Sequence, residues 1–172
     1  KAVITSGYPG LDTIFAIGAN AEFFELQNTM TGYVLQKITS PLVTAINDIW
    51  SPPASNLVYA VGPGSQCYLY SQNVFGTPTW NVVSTGLMGN YVAIWGNANN
   101  QFWISKQGGV IYFDGNSFTE TATAAPTDLM LGGTGYDESN TYAYSNQPIN
   151  KSSLYKLTPA PGLTYPTGAT GK

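Results

Sequence analysis

Nine carboxylates, six lysines and one cysteine, with no histidine and no arginine, are the ionisable side chains from which chemistry would have to be made, apart from tyrosine. Catalysis needs a poised acid, base or nucleophile, and this set leaves few. Without histidine there is no Ser-His-Asp or Cys-His unit and no imidazole metal site. Without arginine there is no guanidinium cluster to grip a substrate carboxylate. What remains is a two-carboxylate glycosidase, for which Asp48 and Asp128, at corresponding places in NDIW and TDLM, are the candidate pair. The plainer alternative has each capping backbone N–H groups or facing solvent. Asp137-Glu138-Ser139-Asn140 is oxygen-rich enough for a calcium ion but lacks the spacing of a calcium loop, so a turn is expected. Cys67 is single, which excludes an internal disulfide and a multi-thiolate metal site, and in QCYLY it reads as a buried, inert thiol. No metal or cofactor is expected. Asn150-Lys151-Ser152 has the form of a glycosylation acceptor.

Binding chemistry is better supplied. Sugar recognition asks for aromatic rings that stack on pyranose faces and for amides and hydroxyls that bond their rims. The candidates are Trp95 with Asn97, Asn99 and Asn100 in the adjoining GNANN, Tyr136 in GTGYDESN, and Trp50, which ends a strand 45 residues before Trp95. For the two tryptophans, packing between sheets is the competing role.

These residues are positioned by a repeat. Phe15, Tyr59, Trp103 and Tyr142 sit in IFAIG, VYAVG, FWISK and TYAYS, at intervals of 44, 44 and 39 residues. Phe24, Tyr68, Tyr112 and Tyr155 follow at intervals of 44, 44 and 43. A fixed period of this length with several short strands per unit marks propeller blades rather than a helical solenoid, and both aromatic series are expected in the core between blades. Runs such as AVIT, EFFEL, QCYLYS, GVIYFD and SLYKL are short and β-branched or aromatic, with Gly, Pro and Asn between them. The expectation is one all-β domain, a β-propeller of four repeats: about 1–41, 42–88, 89–126 and 127–160, with 161–172 a frayed outer strand or linker. It forms a small four-bladed ring, part of a larger ring, or a ring completed by another chain, because an open arc would expose apolar faces and sheet edges.

DIWSPPASNLVYAVG and AIWGNANNQFWISKQGGVIYFDGNSF resemble the loose bacterial propeller repeat of tectonin and tachylectin-like lectins, kelch-like and Asp-box proteins and photosystem-type assembly factors. The resemblance covers the second and third repeats and implies the fold while saying little of function. Asp114-Gly115-Asn116 resembles part of an Asp-box, and its chemistry is that of a turn whose carboxylate accepts backbone N–H groups.

With a formal charge of −3 and 9% charged residues, the chain has no basic stripe for nucleic acid and no apolar run of about 18 residues for a membrane span. Lys1 leads straight into AVIT without a secretory leader, so a mature or excised piece of a secreted or cell-surface protein is expected. The leading function is a non-catalytic extracellular module that recognises a glycan or surface partner. The alternatives are a structural or assembly domain of a filament, adhesin or larger secreted protein, and the carboxylate glycosidase.

Overall fold

The computed structural model of the chain describes residues 2–5, 13–18, 22–29, 31–39, 45–53, 55–72, 78–98, 101–122, 129–135, 141–147 and 151–157. Among them are fifteen strands and no helix, in four antiparallel sheets. Sheet 1 runs β1 (Ala2–Thr5), β2 (Thr13–Ile17), β3 (Phe23–Thr29), β4 (Gly32–Ile38). Sheet 2 runs β5 (Asp48–Trp50), β6 (Val58–Gly62), β7 (Gln66–Gln72), β8 (Pro78–Val82). Sheet 3 runs β9 (Tyr91–Ala98), β10 (Gln101–Lys106), β11 (Gly109–Phe113), β12 (Phe118–Ala122). Sheet 4 has three strands, β13 (Leu129–Gly135), β14 (Thr141–Gln147) and β15 (Lys151–Leu157). In every sheet neighbours in sequence are neighbours in space, so short turns suffice and register follows the turns.

The sheets pack in series through their leading strands: β5 lies against β1 and β2, β9 against β5 and β6, and β13 against β9, β10 and β11. Strand alternation divides each of the middle sheets between two joints. Val58 and Ala60 of β6 face sheet 1 with Phe15, Phe23, Ile38, Ile49 and Tyr70. Tyr59 and Val61, on the opposite face of β6, pack with Ile94, Phe102, Ile104 and Ile111 of sheet 3. Trp95, Trp103, Val110 and Tyr112 then meet Met130, Ala143, Tyr155 and Leu157 of sheet 4. A sheet covered on both faces needs apolar side chains at consecutive positions, which is why VYAVG is buried throughout.

Two glycines are required by close approach at these joints. The tip of the Trp50 indole reaches Gly96 of β9, where an added Cβ would stand 2.7 Å from Cη2 of that ring. At Gly133 of β13 a Cβ would overlap the Trp95 indole. The glycines therefore lie inside strands: β9 continues through Asn97 and Ala98, and β13 through Gly135, where the sequence suggests turns.

The expected packing of the repeated aromatics between sheets holds for Phe15, Tyr59, Trp103, Tyr112 and Tyr155, which are buried, and for Tyr68, which is half-buried against the core between sheets 1 and 2. It needs correction for Tyr142 and Phe24, which are half-buried. Phe24, Tyr68 and Tyr155 stand opposite alanines (Ala16, Ala60, Ala143), whereas Tyr112 stands opposite Trp103. The β10–β11 turn holds two residues between paired positions where β6–β7 holds three, and one residue exchanges the faces of everything beyond it. Phe24 and Tyr142 lie on the outward faces of the first and last sheets. No strand of sheet 4 makes substantial contact with sheet 1 among the described residues.

Candidate functional site

The leading strands of sheets 2, 3 and 4 converge on a cavity of about 330 Å³, lined by Asn47, Asp48, Trp95, Gly132, Gly133 and Tyr144 together with stretches of β9 and β13. It exists because β9 is a sheet edge: one side of its backbone has no strand partner, and polar groups of the preceding sheet supply bonds instead. The Asn47 amide donates to the Tyr91 carbonyl, and the Asn47 backbone N–H donates to Val61 O at 2.8 Å. Asp48, buried, accepts from Ile49 N at 2.9 Å through Oδ1 and from Ile94 N at 3.0 Å through Oδ2. The carboxylate thus bonds the next residue of its own strand and ties sheet 2 to sheet 3. With each oxygen engaged by a backbone N–H, Asp48 has the capping role and not that of a free general base. Asp128, its suggested partner, lies outside the described residues, as do Asp137 and Glu138.

Trp95 lines the cavity and is only 6% exposed, so most of its ring is spent packing sheet 3 on sheet 4. Its Nε1 is buried with no hydrogen-bond partner, one of three such side-chain atoms among the described residues with Trp80 Nε1 and Ser145 Oγ. Nε1 is bonded to Cε2, the ring atom nearest the Cβ position of Gly133, and Gly133 itself lines the cavity. Tyr144 comes from β14, directly opposite Gly132. Its ring lies over that glycine, with Oη 3.0 Å and Cε1 3.3 Å from where a Cβ would be, so glycine gives the ring its bed. The outer side of Tyr144 is left open, and the residue is 49% exposed.

Of the binding residues suggested by sequence, Trp95 is at this cavity and Trp50 is not. Trp50 is half-buried, stacks on Tyr59 with ring centroids 5.9 Å apart, and packs on Phe102 at 5.7 Å. Its place is the joint between sheets 2 and 3. Asn97 is on β9 but its side chain, like Asn99, Asn100 and Tyr136, is outside the described residues. Sequence reading missed Asn47 and Tyr144 as cavity residues. The signal for Tyr144 was present as an aromatic two places after Tyr142 in TYAYS, facing the glycines of LGGTG, but only the pairing register brings ring and glycine together.

Cys67 has no part in the site. It is buried beside Tyr59 and Ile104 in the joint between sheets 2 and 3, and burial pushes its thiol up to about 12. At neutral pH it is a protonated core side chain. Asp114 is a turn residue, as its neighbours suggest: Oδ1 accepts from Asn116 N at 2.8 Å and Ser117 N at 2.7 Å. Those N–H groups hold its carboxyl below the usual range. No group of metal-binding side chains is found among the described residues. No sequence profile of a known protein family matches the chain, and no curated protein matches it.

Proposed function

We propose that the four sheets are blades of a β-propeller of about 44-residue repeats, and that the protein is a non-catalytic extracellular module that recognises a glycan or another surface partner. Support for the propeller comes from the serial packing of antiparallel sheets, each leading with the strand that meets the next sheet. Support for recognition comes chiefly from one observation: the leading strands border a cavity lined by Trp95, the exposed Tyr144 and the Asn47 amide. Asp48 in that wall is committed to backbone donors, which weighs against the glycosidase alternative. The protein displayed against an array of immobilised glycans is expected to retain at least one at micromolar to millimolar concentration. An array bare at millimolar concentration sinks the glycan form of the proposal.

The outward faces of the terminal sheets favour a second reading, a structural or assembly domain. Leu35 of β4 is 62% exposed and Tyr33 is 70% exposed on the same face as Phe24 and Leu26. Tyr144 and Leu154 are paired and exposed on the corresponding face of sheet 4. Apolar faces of this kind are normally covered, here by a further sheet or a second chain. Sedimentation is expected to show mass rising with concentration if a second copy covers them. A constant monomer mass over the whole accessible range removes self-assembly.

A further inference from the structure

We infer that a second copy of this chain docks the outward face of its sheet 1 on the outward face of sheet 4 of the first, repeating between two molecules the joint that links consecutive sheets within one; this rests on the assembly reading above and gives it a partner and a geometry. Each joint inside the chain is made of two unlike halves. The face of the earlier sheet that carries Phe15, Tyr59 or Trp103 meets the other kind of face on the later sheet, which carries Val58 and Ala60, Phe102 and Ile104, or Ala143.

The two outward faces are one of each half. On sheet 1, Ile14 pairs with Leu26 and Ala16 with Phe24. The same pairs 44 residues later, Val58 with Tyr70 and Ala60 with Tyr68, make the half of sheet 2 that packs on sheet 1. On sheet 4, Tyr144 pairs with Leu154 and Tyr142 with Lys156. The corresponding pairs of sheet 2, Val61 with Cys67 and Tyr59 with Leu69, make the half that packs on sheet 3. Exposure shows what is missing: Val61 and Cys67 are each 1% exposed, whereas Tyr144 and Leu154 are 49% and 45% exposed. Lys156 is no bar, since the corresponding place in sheet 1, opposite Phe15, holds Glu25, a charged residue buried on the face that meets sheet 2.

The pairing of unlike halves selects the occupant. Two copies joined sheet 1 to sheet 1 would bring together halves of the same kind, which none of the joints among the described residues does. Sheet 4 of the same chain does not fill the place: none of its strands makes substantial contact with sheet 1 among the described residues, and Leu35 on that face is 62% exposed. A second copy brings the matching half in the matching register, and the apolar surface it covers drives the association. Because the halves are different surfaces, the contact is head to tail, and it closes into a ring or runs on as a filament according to the rotation at each joint.

The test is sedimentation of the full chain and of two variants, Leu35→Lys on the sheet 1 face and Leu154→Lys on the sheet 4 face, alone and mixed in equal amounts. Both positions are exposed, where substitution leaves folding intact, and a lysine buried in the contact is expected to weaken association about a hundredfold or more. The natural chain is expected to gain mass with concentration from micromolar to millimolar, and each variant alone to stay monomeric. The mixture is expected to reach twice the monomer mass and stop there, because Leu154→Lys keeps a sound sheet 1 face and Leu35→Lys a sound sheet 4 face. If either variant alone associates as the natural chain does, or the mixture stays monomeric where the natural chain does not, the head-to-tail contact is overturned while self-assembly stands. If the natural chain is monomeric throughout, the contact and self-assembly fall together.

Discussion

Between pH 9 and pH 12 the protein is expected to lose about 4 kcal/mol of stability through one buried thiol, that of Cys67. The cause is desolvation: Cys67 is 1% exposed, and nothing around it favours a thiolate. In the folded chain the proton is held to about pH 12; in the unfolded chain it leaves near the ordinary value of 9. Between these values the unfolded state binds fewer protons, so each added pH unit favours unfolding by about 1.4 kcal/mol. The contribution is intact below pH 9, declines through the interval and has no further effect above pH 12. Burial raises Tyr59 and Tyr91 as well, adding losses of the same sign above pH 10. Cys67→Ala separates the thiol from that background. Urea midpoints measured at pH 8 and pH 11 are expected to give the natural chain a loss about 3 kcal/mol greater than the variant's. Equal losses in the two proteins would show that Cys67 meets solvent in the folded state.

Much of the fold is legible because its signals are local. All of the fifteen strands but β13 fall on a short β-branched or aromatic run, since a strand needs little beyond side chains that suit its two faces. Burial of VYAVG on both faces also follows from composition. Legibility fails where a joint between sheets decides the outcome. GNANN and LGGTG carry turn composition, yet Gly96 and Gly133 are in strands because an indole from the preceding sheet occupies the space a side chain would take. Tyr112 keeps the 44-residue interval from Tyr68 but faces the other way, because one residue fewer in a turn outweighs any spacing along the chain.

The site divides along the same line. Trp95 is visible in sequence as a strand-end aromatic. Its meaning depends on a glycine 38 positions later and on an N–H left without an acceptor, neither of which has a local signature. The repeat that accounts for most aromatics as packing therefore also makes the cavity, since it brings three leading strands to one place and leaves their edges to be satisfied by side chains. The second reading rests on the same geometry from outside: Tyr142 and Phe24 occupy repeat positions whose equivalents in the middle sheets meet a neighbour.

Asp48→Ala is expected to destabilise the protein by about 3 kcal/mol, because it removes two charge-assisted bonds from a buried joint and leaves two backbone donors unpaired. Ile49 and Ile94, which own those N–H groups, are 0% and 1% exposed, so in the folded chain the carboxylate is what satisfies them. The two bonds differ in reach. The one to Ile49 reaches the adjacent residue of β5, and the one to Ile94 spans 46 residues and crosses from sheet 2 to sheet 3. Asp48→Asn keeps an acceptor for one donor and sets an N–H₂ against the other, so its cost should fall between zero and that of alanine. Amide exchange gives the local readout: Ile94 N–H is expected to lose protection in both variants, and Ile104, deeper in the same sheet, only to the extent that global stability falls. An Asp48→Ala protein within 1 kcal/mol of the natural chain, as an order of magnitude for one net hydrogen bond, with Ile94 still protected, would mean that the joint is closed by its apolar contacts alone.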